Sequence, residues 1–298
     1  MLEIMKGAIG LGLLWAIMAI GIYMTYRILD ISDLTSEGSF TLGAATLAFC
    51  TINEMNPYIA IGASMVAGAL AGLVTGLMHT KLKIPTLLAG ILSMTGIYSI
   101  NLRIMGQANI SLTNQDTLLA RWANLLDFAK QRDAALVIGV VILILIIALL
   151  YLLLNTEIGY ALRATGNNEQ MIRASGVNTD FMKVVGLMIG NALIAMSGGL
   201  VAQYNGYADV GMGIGAIVIG LASVIIGEVF FGRKHLLLSL IGVGVGSIIY
   251  RIIVALVLDA GLPANDMRLF TAILVAIAIS LPQIKASFTA RLRRKHQC

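Results

Sequence analysis

"ALVIGVVILILIIALLYLLL", residues 135–154, runs for twenty residues without a charge. A helix advances about 1.5 Å per residue, so such a run crosses the roughly 30 Å hydrocarbon core of a bilayer. Inside lipid no water pairs with backbone amides, and a helix is the open element that pairs them within itself. The stretch therefore decides the class: an all-α polytopic membrane protein. Comparable apolar runs lie on both sides of it, at 4–26, 39–53, 57–79, 84–105, 183–204, 214–232, 235–258 and 267–284. Together they make about nine predicted transmembrane helices, the second short enough for a half-helix.

The composition agrees. The 298 residues are 58% hydrophobic and 12% charged, where ordinary globular chains carry about a quarter charged residues. The first run continues to Tyr26, too long for the apolar part of a secretory signal, and reaches Arg27 without a small-residue cleavage site. Cys50 in an apolar run and Cys298 at the end offer no disulfide framework. A net charge of +5 is what the positive-inside rule produces and does not call for nucleic acid.

Charge placement sets the orientation. The connections at 27–38, 79–83, 155–183 and 233–235, with the tail from Lys285, hold 13 lysines and arginines against 6 in the opposite set. That excess predicts an inside C-terminus and an outside N-terminus for one transmembrane domain, 1–298. The basic tail 285–298 contains "RLRRKH", which suits an orienting signal lying against anionic lipid headgroups. Residues 106–134 make the long outward loop, where Leu118, Leu119, Trp122, Leu125, Leu126 and Ala129 share one helical face after Asp116 or Thr117. Such a helix lies in the headgroup layer with Trp122 as anchor, or forms part of a docking surface. Gly68, Gly72 and Gly76, and the pairs Gly186/Gly190 and Gly242/Gly246, have the spacing that lets membrane helices approach closely.

The connection 155–183 interrupts this pattern with "LRATGNNEQMIRASGVN", residues 162–178. Asn167 and Gln170 have capping-box spacing, and Gly176 suits a left-handed helix end. About two turns fit between them, from Asn168 to Ser175, with Met171 and Ile172 as an apolar patch. A helix so short is marginal in water and persists only when docked. It is either a connecting turn or a plug for a cleft in another protein.

Chemistry is sparse. His79, His235 and His296 lack metal-ligand spacing, and no H-E-x-x-H, G-x-S-x-G or phosphate-cradling G-x-x-x-x-G-K-[ST] occurs. No metal site is expected. Arg251 lies deep in an apolar run, and Glu228 sits near Arg233 as a local pair. Mid-membrane carboxylates, which ion-coupled carriers use, are not evident, so the driving energy is expected from elsewhere.

Two stretches carry a resemblance. "TEIGYALRATGNNEQMIRASGVNT" from Thr156 resembles the coupling segment of bacterial ABC importer permeases of the branched-chain amino acid and ribose permease superfamily. Thr156, Gly159, Ala164, Gly166, Asn168 and Gly176 match its pattern, while Val177 replaces the usual Ile and Ile172 falls near a common Ala. "DISDLTSEGSFTLGAA" from Asp30 is similar to a second family signature between an early helix and a small-residue helix. Its "DLTSEGSF" wording is nearest to permeases linked to aromatic amino acid (tryptophan/tyrosine) uptake.

The resemblance implies the permease subunit of an importer in the bacterial cell membrane. This chain binds no cofactor and is not itself an enzyme; ATP and Mg sit on a separate cytoplasmic ATPase. An external solute-binding protein and a second permease copy complete the assembly, with lipid around it. Arg163, Gly166, Asn167, Asn168, Met171, Ile172, Arg173 and Gly176 are then the ATPase-coupling residues. Gly166 and Gly176 would set the turns, and Arg163 and Arg173 would face acidic groups on the ATPase. Asp33, Glu37 and Gly38 mark a helix break near the inner gate. Thr46, Ser93, Thr95 and Asn191 are neutral polar candidates for the pore. Alternatives are the same importer for a sugar or nucleoside, an ion-coupled carrier, or a membrane-embedded enzyme.

Overall fold

A computed structural model describes residues 2–113, 115–125, 131–232 and 235–261, and beyond them residues 266, 269–273, 275–276 and 280. The chain runs α1 (Leu2–Tyr23), a π-turn (Met24–Ile28), α2 (Thr35–Ile52), α3 (Pro57–Thr80) and α4 (Thr86–Met105). It continues through β1 (Asn109–Ser111), α5 (Leu118–Leu125), α6 (Gln131–Leu154), α7 (Glu157–Asn167) and α8 (Glu169–Ala174). Then come α9 (Thr179–Asn205), β2 (Tyr207–Asp209), α10 (Ala216–Phe231) and α11 (Leu236–Asp259). Among the described residues six helices are long and apolar enough to cross a membrane: Glu3–Ile28, Pro57–Thr80, Thr86–Met105, Asp133–Leu154, Thr179–Asn205 and Leu236–Asp259. The runs at 39–53 and 214–232 are also helices, but of 18 and 16 residues. Most of the ninth expected span, 267–284, and the basic tail lie outside the described residues.

α1 and α9 form the centre and run antiparallel. Tyr204 bonds the Gly7 carbonyl at one end, Ser197 bonds the Leu14 carbonyl further along, and Leu29 packs against Gly186 at the other. α3 lies along α9 through Gly68, Gly72 and Gly76, where added methyl groups would crowd or strike the α9 backbone. α2 is as tightly set. A side chain at Gly43 would collide with the Ala195 carbonyl, and one at Gly198 with the Phe40 carbonyl. In lipid, van der Waals contact of this kind holds helices together.

The two shorter helices divide the bundle between them. Ser39 bonds Asn191, near the middle of α9, and α2 then follows α9 toward Asn205, with Gly43 at Ala195 and Leu47 at Gly199. α10 takes the other half, with Gly220 packed on Met18 and Ile22 and Glu228 paired with Arg27. Both helices therefore begin inside the bundle. A helix start leaves amides without intrahelical partners, and here carboxylates supply them. Asp33 Oδ1 accepts from Thr35 N at 2.9 Å, and Glu37 Oε1 accepts from Gly215 N at 2.9 Å.

The helix break expected at Asp33, Glu37 and Gly38 is present, between the π-turn and α2. After the π-turn, residues 29–34 fold back into the bundle, and Asp33 is fully buried. Glu228 pairs with Arg27 in a two-pronged contact of 2.5 and 2.6 Å, and Arg233, its expected local partner, lies outside the described residues. Arg251 packs over the Trp15 ring, 4.1 Å from its centroid, a favourable place for a cation. α5 keeps Leu118, Leu119 and Ala123 buried against the chain itself, with Thr117 as its cap and Trp122 bonded to Tyr58. Leu125 is exposed despite the expected apolar face, and Leu126 and Ala129 are outside the described residues.

Asn191 tests this arrangement. It donates to Asp33 Oδ2 at 2.6 Å and accepts from Ser39 at 2.7 Å while fully buried. Replacement by Leu strands both partners, so Asn191→Leu should lower unfolding stability by about 1–3 kcal/mol. The melting temperature of the detergent-purified protein reads this, and an unchanged value would show that the tie bears no load.

Candidate functional site

The seam where α2 and α10 begin is not filled. A cavity of about 260 Å³ opens there, lined by Glu37, Gly38 and Thr41 of α2, Met94, Thr95, Tyr98 and Asn101 of α4, and Val210 and Ile214 from the β2–α10 connection. Gly213 packs on the Glu37 carbonyl, and its amide donates to Thr41 Oγ1 at 3.1 Å. Two of the three expected gate residues, Glu37 and Gly38, thus share one cavity with Thr95. Asp33 lies deeper, bonded to Asn191.

The pore candidates separate. Thr95 reaches the cavity, its hydroxyl turned back onto the Ile91 and Leu92 carbonyls. Asn191 and Ser93 do not. Ser93 accepts from Thr75 at 2.6 Å, Thr75 meets Thr35 at 2.8 Å, and Thr35 caps onto Asp33. These buried contacts join α2, α3, α4 and α9. Thr46 has a buried hydroxyl without a partner among the described residues and lies outside the cavity lining. Sequence reasoning missed Tyr98 and Asn101. Both sit near the end of α4, where polar residues read as a helix terminus.

The second region of interest is α7 and α8. The cap falls one residue later than expected: Asn168 Oδ1 accepts from Met171 N at 3.0 Å, and Asn167 ends α7. Gly176 has φ +87°, the left-handed conformation its position called for. Gly166 sets no turn. It sits within α7, where a side chain would collide with the Ile28 carbonyl. Arg163 stacks over Tyr160 at 5.6 Å and lines a polar cavity of about 290 Å³ with Arg27, Asn167 and Glu228. Arg173 is engaged within the chain, donating to Thr179, Glu169 and Asp180 at 2.7–3.1 Å. Lys183 of α9 bonds Glu169 at 2.7 Å and holds its carboxyl below the usual carboxylate range. α8 buries none of its residues, and Met171 is 63% exposed.

Comparison with known proteins gives this arrangement its context. The model of the family described as branched-chain amino acid transport system, permease component, matches residues 4–278. The chain belongs to this family. It is 39% identical over 292 residues to the tyrosine transport system permease protein of Clostridioides difficile (strain R20291), covering 96% of each chain. It is 26% identical to the ribose import permease protein of Escherichia coli K12, over 76% of this chain and 70% of that one. In fold it is similar to a metal-chelate type ABC transporter in an inward-facing conformation, with TM-score 0.50 and 14% identity over 95% of this chain and 85% of that one. The protein is thus a multi-pass ABC transporter permease of the cell membrane. Among the described residues, no three His, Cys, Asp or Glu side chains gather as a metal site requires.

In a permease the cavity at the α2–α10 seam is where a filled volume should matter. A methyl at Gly38 would come within 3.2 Å of Met94 Cα and 3.4 Å of Ile97, which small shifts accommodate. A leucine would press a larger side chain against α4, whose Met94 lines the cavity. Gly38→Leu should therefore reduce solute uptake at least tenfold at normal membrane yield, with Gly38→Ala much milder. Uptake assays beside quantified membrane protein check this; full transport by Gly38→Leu would remove the cavity from the transport route.

Proposed function

We propose that this permease is the membrane subunit of an ATP-driven importer for an amino acid, an aromatic one favoured. Two copies, two cytoplasmic ATPases and an external solute-binding protein would make the working assembly. In this reading the nine spans leave the N-terminus outside and the C-terminus inside. The segment 155–183 faces the cytoplasm, 106–134 faces outward, and ATP with Mg is bound by the ATPase. The tyrosine-permease relative, aligned over nearly the whole chain, supports the amino acid over a sugar or nucleoside.

The observation that carries the coupling role is α8. Six residues are too few for a helix to persist by itself, yet α8 is braced through Glu169 and Arg173 to Lys183, Thr179 and Asp180 of α9. A small rigid helix that exposes Met171 fits the cleft of a partner. ATP-driven closure of the partner would push on α8, and the α9 contacts would carry the displacement into the bundle. Asp33 does not revive the ion-coupled alternative, because both its oxygens already accept hydrogen bonds inside the bundle, from Thr35 N and from Asn191.

Charging the apolar surface should separate assembly from folding. Met171→Asp and Ile172→Asp should each lose at least tenfold in co-purified ATPase while membrane yield and melting temperature hold. Single charge removals such as Arg163→Ala should be mild, since exposed pairs contribute about 1 kcal/mol or less. Full ATPase retention with solute-stimulated hydrolysis in both acidic variants would reduce α8 to a connector.

A further inference from the structure

The cavity at the α2–α10 seam has a particular chemistry. Its walls are largely apolar: Met94, Val210, Ile214 and the ring of Tyr98. Its threonine hydroxyls are committed. Thr95 donates to α4 carbonyls, and Thr41 donates to the Glu37 carbonyl while accepting from Gly213. Two acceptors stand out. Asn101 is 1% exposed, and its Oδ1 has no hydrogen-bond partner among the described residues. Glu37 brings a carboxylate of which Oε1 holds the Gly215 amide. No lysine or arginine lines the cavity.

A buried acceptor without a donor is rare in native proteins and asks for an explanation. An amide oxygen and a carboxylate at one apolar cavity match a group that only donates and is positively charged. A primary ammonium, with three donors and no acceptor, is such a group. A sugar would bring several hydroxyls into walls that can satisfy few of them. A carboxylate would meet acceptors and negative charge. We propose that this cavity is a solute subsite that holds the ammonium of an apolar or aromatic amine-bearing solute between Asn101 Oδ1 and Glu37. The body of the solute lies against Met94, Tyr98, Val210 and Ile214. This deepens, and rests on, the reading of the chain as an amino acid permease. It places amine recognition in the membrane subunit, in addition to any selection by a binding protein.

The test uses the full chain in nanodiscs, with Cys50→Ser and Cys298→Ser removing the native thiols and Thr95→Cys introducing one at the exposed cavity wall. Maleimide labelling of that thiol should slow at least fivefold with L-tyrosine or with tyramine, which keeps the ammonium and lacks the carboxylate. 3-(4-hydroxyphenyl)propionate, which lacks the ammonium, should not protect. Adding Glu37→Gln or Asn101→Leu should abolish protection while the unprotected labelling rate stays the same, which controls for folding; Asn101→Asp, which keeps an acceptor, should retain it. Equal protection by the propionate, no protection by either amine, or protection surviving both loss variants would overturn the proposal. Uptake of L-tyrosine by cells carrying the chain with its ATPase and binding protein reads the importer proposal separately. Wild-type uptake whose KM is unchanged in both loss variants would remove the subsite and leave the importer standing. Amine protection without any uptake would do the reverse.

Discussion

Two helices begin in the interior of this bundle, and the free amides at their starts constrain everything around them. Lipid-facing backbone cannot be left unpaired, and an isolated carboxylate is as unwelcome in apolar surroundings. The structure lets each cost offset the other. Asp33 takes the first-turn amide of α2, and Glu37, one turn into α2, takes the amide that opens α10. Negative charge at a helix start is also favoured by the helix dipole. Asn191 then fastens Asp33 to α9, while Thr35, Thr75 and Ser93 extend the contacts to α3 and α4. The neutral polar residues scattered through the apolar runs are largely the fastenings of this centre.

The cavity follows from the same arrangement. One continuous helix would present side chains to its neighbours at every turn. Two shorter helices meeting at their starts bring glycines instead: Gly38 on one side, Gly213 and Gly215 on the other. Gly215, at φ +82°, adopts the left-handed conformation that an L side chain would strain. α4 closes the remaining side with Met94, Tyr98 and Asn101. The space exists because the backbone breaks there, and non-helical backbone is tolerated at such depth where it is enclosed by protein or lines a cavity.

Much of the bundle was legible because a membrane span is a local property. Length and apolarity alone locate α1, α3, α4, α6, α9 and α11, and the glycine spacings mark where they touch. What was not legible is non-local. Asp33 and Glu37 follow a long apolar run, so the sequence reads them as emerging from the membrane; nothing in 29–34 announces that the chain turns back inward. The bonds of Asn191 to Asp33 and Ser39 span 158 and 152 positions, and that of Glu228 to Arg27 spans 201, so no local reading finds them. Asn101 stands two residues before Arg103, where an amide resembles a helix terminus, and only burial distinguishes it.

The α7–α8 segment shows how a motif can be located correctly while its parts are assigned to other jobs. Asn168 and Gly176 bound α8 as helix-end chemistry requires, but Gly166 is a contact residue. Its missing side chain lets α7 rest on the Ile28 carbonyl, at the end of the π-turn. From there the chain passes Leu29, wedged against Gly186, and seven residues after Ile28 it starts α2 beside Asp33. α7 therefore bears on the same short connector whose other end fixes the helix starts at the cavity. Backbone packed directly on backbone has little room to deform, since protein interiors are close-packed and resist small displacements. A shift of α7 would have to move the connector or separate from it, and a flexible side chain at position 166 would have blurred that choice. Glycine there makes the contact stiff, so α7 and the connector are mechanically joined at this point.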